Sequence, residues 1–103
     1  MSVKSQLNAC RDSLVAGMRA VARGVSPDKS TSAVLRACLD LVEHSLAREP
    51  TRVTSADIHT TLAVLERASG ELEAKAGMPP AVLAALQNAC KRLRLLIAEL
   101  DGG

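Results

Sequence analysis

Residues 53–72 read VTSADIHTTLAVLERASGEL. Thr54-Ser55-Ala56-Asp57 resembles a capping box, with Asp in the place of the more usual Glu. Val53 and Ile58 stand on either side, where a hydrophobic staple closes. From there Ile58, Leu62, Leu65, Ser69, Leu72 and Ala76 recur at steps of three and four, the spacing of one helix face. A start signal followed by this stripe predicts a long amphipathic helix over about 55–76. Gly70 is the one position where it can break, and Gly77 is its stop, before Met78 and Pro79.

The same punctuation extends outward. Before this stretch, Val34, Leu35, Cys38, Leu39, Leu41, Val42 and Leu46 form the apolar set of a helix over about 27–48. Ser26-Pro27-Asp28 opens that helix and Pro50 closes it. Earlier still, Val3, Leu7, Cys10, Leu14, Met18 and Val21 line a helix over about 3–23, stopped at Gly24. Downstream, Leu83, Leu86, Cys90, Leu93, Ile97 and Leu100 define a fourth helix over about 80–100, with a polar tail at 101–103. Each helix is roughly 32 Å long at 1.5 Å per residue. Short loops between helices of equal length force antiparallel neighbours. The expected fold is therefore a single all-α domain, an antiparallel up-down-up-down four-helix bundle.

Composition agrees. The 103 residues are 48% hydrophobic and contain no Phe, Tyr or Trp, so the core is built from Leu, Val, Ile, Ala, Met and Cys. Without aromatic side chains there is no platform for stacking single-stranded nucleic acid or a flat cofactor. The net charge of +2 is too small to argue for nucleic acid unaided. No uncharged run is long enough to span a bilayer, and no membrane association is expected. Abundant Ala, and Arg in excess over Lys, fit a bacterial chain.

Three cysteines at long spacings, with no Cys-x-x-Cys pair, read as reduced core thiols of a cytoplasmic protein. In an antiparallel bundle Cys10, Cys38 and Cys90 fall roughly 20, 16 and 15 Å from one end, so they can share a layer. A soft metal would suit three thiolates there, but apolar surroundings and the absence of short ligand spacing favour plain packing. His44 and His59, with Glu43 or Asp57 nearby, are read as surface residues and not as metal ligands. No metal or other cofactor is expected. Phosphate loops, nucleophile elbows and zinc-protease helices are all missing, and the chain is expected not to be an enzyme.

The segment His44-Ser45-Leu46-Ala47-Arg48 is similar, over these five residues, to histidine phosphotransfer domains. Those are four-helix bundles with an exposed phosphorylatable His in a His-x-Leu-Lys-Gly context. His44 and Leu46 match; Ala47 stands in the place of the Lys and Arg48 in that of the Gly. The resemblance implies phosphotransfer through His44.

The leading expectation is an interaction protein: an adaptor, inhibitor or chaperone-like bundle binding a protein partner or a second copy of itself. The apolar set of the second helix covers roughly 160°, against the ~100° of an ordinary surface helix. Leu35, Leu39, Val42 and Leu46 are read as its surplus. On the fourth helix Leu95 lies opposite the main seam, beside Lys91 and Arg92, and completes the expected surface. On this reading Leu39→Glu leaves the fold intact. The alternatives are nucleic-acid binding through basic faces of the first and last helices, and phosphotransfer through His44.

Overall fold

The computed structural model describes residues 3–23, 29–75 and 77–102. Four helices follow in order: α1 (Val3–Ala22), α2 (Lys29–Ala47), α3 (Ser55–Glu73) and α4 (Pro80–Asp101), with a 3-10 turn at Pro50–Arg52 before α3. Among the described residues there is no strand. Each helix packs on its neighbours in sequence, and α4 closes the ring against α1. The four-helix bundle measures 44 × 22 × 18 Å.

The helix ends follow local chemistry. At α3 the Asp57 N–H donates to the Thr54 hydroxyl oxygen at 3.3 Å, and the Thr54 N–H donates to Asp57 Oδ2 at 3.2 Å, which closes the capping box. Val53 and Ile58 are both buried, as a staple requires. The far end of α3 departs from expectation. The helix runs through Gly70 unbroken but stops at Glu73, short of Gly77. Its last turn tightens, because the Lys75 N–H donates to the Leu72 carbonyl, a step of three residues. Gly77 then takes a positive φ of 77° in the loop, a conformation side-chain-bearing residues avoid. α4 extends one residue past its expected end to Asp101, where the Gly102 N–H donates to the Ala98 carbonyl at 2.8 Å. The expected signals at Gly24, at Ser26-Pro27-Asp28 and at Ala76 lie outside the described residues.

The core holds Leu7, Leu14, Leu35, Val42, Ile58, Leu65, Leu72, Val82, Leu86, Leu93 and Leu96 at 0–1% exposure. Two features were hidden from a hydrophobic pattern. On α4 the buried arc is rotated: Val82, Ala85, Ala89 and Leu96 are buried, whereas Leu83, Ile97 and Leu100 are half-buried. On α1, Gly17 and Gln6 are buried beside the expected apolar stripe. A Cβ placed on Gly17 would meet the Ala85 Cβ at 3.0 Å. The absence of a side chain at 17 and the methyl at 85 therefore let α1 and α4 approach closely, and this pair has the most extensive contact of the four. The α2–α3 contact is the least extensive. Polar clamps hold both of its ends: Arg48 Nη1 to Asp57 Oδ2 at 3.0 Å and Lys75 Nζ to Ser30 Oγ at 3.1 Å.

The two helical glycines should respond oppositely to substitution. Gly17→Val forces a branched side chain into the α1–α4 contact and should cost about 2–3 kcal/mol of unfolding free energy. A Cβ on Gly70 meets nothing within 4 Å. Gly70→Ala should therefore stabilise by up to about 1 kcal/mol through helix propensity alone. Urea titrations of the two variants read both values, and a neutral Gly17→Val would refute the close approach.

Candidate interaction surface

The residues expected to form a docking surface divide into two groups. Leu35 and Val42 are fully buried and Leu39 is 4% exposed, all within the single chain. This corrects the reading of a surplus apolar arc on α2. A helix in a four-membered ring touches two neighbours and the centre, so a wide arc is what its own bundle consumes. Leu46 is half-buried and packs against the same core. The second group is displayed: Leu95 on α4 is 38% exposed, and Lys91 and Arg92 are exposed beside it. Among the described residues Val64 on α3, also 38% exposed, is the only other large apolar side chain so placed.

The surroundings of Leu95 and Val64 differ in charge. Near Val64 the charged side chain one turn on is matched within the chain: Arg67 Nε lies 3.4 Å from Glu71. Across the α3–α4 seam Arg94 lies 3.4 Å from Glu66 and His59 4.0 Å from Asp101. Arg11 and Arg36 likewise sit within 3.6 Å and 3.3 Å of Asp12 and Asp40. Lys91, Arg92 and Glu99 have no ion-pair partner in the described chain. They occupy the outer side of α4 around Leu95. Of the positive residues of α1 and α4, Arg11 and Arg94 sit beside carboxylates.

The three cysteines come from three helices, and all are buried and free. Burial pushes the Cys10 thiol up to about 12, with Cys90 and Cys38 close enough to add to the rise. Cys38 rises to about 11, again through burial and then Cys90, against a smaller lowering by a backbone hydrogen bond. Cys10 lies close enough to Cys38 and Cys90 for their charge to act on it. Cys90 is raised by burial, lowered by Arg94 and raised by Glu66. It also lines an open cleft of about 210 Å³ between α3 and α4 with Glu66, Ser69, Gly70, Glu73, Gln87 and Arg94. Among the described residues no group of three His, Cys, Asp or Glu side chains is arranged to hold a metal ion.

His44 is exposed near the C-terminal end of α2. Ser45, beside it, is buried. The Asp57 carboxyl is held below its ordinary range, by hydrogen bonds from the Thr54 backbone and hydroxyl and then by Arg48. Its partners identify it as a helix cap and an inter-helix clamp, a structural role. Among the described residues no helix is long and apolar enough to cross a membrane. No family model, curated protein or solved structure matches the chain.

The thiol environment sets a pH dependence. The unfolded chain releases thiol protons near the ordinary value of 9.0, whereas folded Cys10 and Cys38 retain theirs to about 12 and 11. The folded state then binds more protons, so stability is full below pH 9 and falls as pH rises toward 11–12. With no Tyr in the chain, no phenol masks this window. Urea titrations between about pH 8 and about pH 10.5 should show the loss, and Cys10→Ala/Cys38→Ala should flatten the slope. An unchanged slope in that variant would contradict the assignment.

Proposed function

We propose that the protein acts as a non-catalytic interaction module whose contact surface is the outer face of α4, centred on Leu95 with Lys91 and Arg92. The observation that carries this reading is the exposure of Leu95 among charges with no partner in the described chain, while Leu35, Leu39 and Val42 are spent on the core. An apolar centre with a polar, charged rim is the anatomy of a docking site. Three buried thiols with raised pKa values also suit a protein of a reducing compartment such as the cytoplasm. The partner is a protein, which includes a second copy of the chain. Phosphotransfer through the exposed His44 and nucleic-acid binding are weaker readings, since no second observation joins His44 to a site and Arg11 and Arg94 are taken up beside carboxylates.

Two charge insertions separate surface from core. Leu95→Glu should change unfolding free energy by less than about 0.5 kcal/mol, whereas Leu39→Glu should cost at least about 3 kcal/mol by placing a carboxylate in the core. In affinity capture with nuclease in one arm, the folded Leu95→Glu variant should lose the protein that wild type retains. Capture indifferent to Leu95→Glu, or capture of nucleic acid alone, would remove this reading.

A further inference from the structure

The charges around Leu95 have an order along α4. Lys91 and Arg92 precede it, and Glu99 follows four residues after, as Lys91 lies four residues before. Lys91 and Glu99 are about 12 Å apart along the axis at 1.5 Å per residue. They cannot pair within their own helix, and Arg92 and Glu99 are separated by nearly as much. The residue four after Lys91, where an intrahelical partner would sit, is Leu95 itself.

This pattern is complementary to its own reverse. Two copies of α4 laid antiparallel, with a twofold axis passing at Leu95, bring Leu95 against Leu95. The same operation places Lys91 and Arg92 of each copy against Glu99 of the other. Both ion pairs are generated by one rotation, which is the signature of an isologous interface. The flanking surface permits the approach. Ala84, Asn88 and Ala98 on α4 itself, one to three turns from Leu95, are exposed and none is longer than Asn. None carries a long side chain that would hold a second helix beyond the usual 8–10 Å separation.

We infer that the outer face of α4 is a self-association site, at which a second copy of this chain docks antiparallel through Leu95, with Lys91 and Arg92 against Glu99. This rests on the proposed interaction surface and names its occupant. Recognition is by sign of charge around a small apolar centre, so association is of modest affinity and weakens with salt.

Charge reversal in two separate chains tests the geometry under reducing conditions. K91E/R92E makes the whole patch acidic, and E99K makes it basic. All three positions lie outside the core, and circular dichroism confirms folding. Sedimentation equilibrium from about 10 µM to about 1 mM covers the range of weak dimers. Wild type should dimerise, each variant alone should bind itself roughly tenfold more weakly, and the two variants mixed should form a heterodimer of near wild-type affinity. Wild type that stays monomeric throughout overturns the inference; so do charge-reversed variants that dimerise as wild type does, or a mixture that shows no recovery. A monomer that captures a different protein in a Leu95-dependent way overturns the second copy as occupant and leaves the proposed function standing.

Discussion

The close approach of α1 and α4 is the constraint on which the rest of the bundle depends. A chain without aromatic residues has only Leu, Val, Ile, Ala, Met and Cys with which to fill its centre. Dispersion energy from such side chains is gained only at close packing, because a gap of less than one ångström already forfeits a large part of each contact. Gly17 on α1 and Ala85 on α4 bring the two backbones together, and Leu35 from α2 reaches the same place within 3.9 Å of the Cβ position on Gly17. Three helices are thus organised around one missing side chain. Ala85 meets α1 there, within a buried arc of α4 that takes in Ala89 and Leu96 and leaves Leu83 and Ile97 only half-buried.

The α2–α3 contact is less extensive than the α1–α4 contact, and exposed polar side chains bridge its two ends. Ser45 on α2 and Thr61 on α3 are buried. The Thr61 hydroxyl donates to the Asp57 carbonyl at 3.1 Å, so it is satisfied within its own helix. Among the described residues no buried side-chain polar atom lacks a hydrogen-bond partner. Arg48 and Lys75 tie the two ends of the seam from exposed positions. Exposed ion pairs are worth little each, so α2 and α3 owe their place mainly to the core beneath them. The bundle is therefore a closely packed α1–α4 pair, with α2 seated mainly on α1 and α3 mainly on α4.

The parts legible in the sequence were those written in side-chain chemistry. The capping box at Thr54 and Asp57, the staple of Val53 and Ile58, and the three apolar cysteines each declare themselves by residue type and spacing. The parts that were not legible were written in small residues. Gly17, Ala85 and Ala89 add almost nothing to a hydrophobic pattern, yet they determine which way α4 faces. Their signal was present as a Gly inside the helical stretch of α1, which propensity alone disfavours and which close packing repays. The wide apolar arc of α2 misled for a related reason: periodicity tells which positions are apolar and not how many neighbours the bundle will place against them. Leu39 was therefore read as surface. Leu95 was read correctly as lying opposite the seam, because its position follows from the helical repeat alone.

Native-state hydrogen exchange tests the central role of the α1–α4 contact most directly, because it ranks local stability helix by helix. The slowest amides should lie in α1 and α4 around Gly17 and Ala85, exchanging only on global unfolding, while α2 and α3 open at lower free energy. Slowest exchange in α2 and α3, with α1 and α4 opening first, would contradict the account.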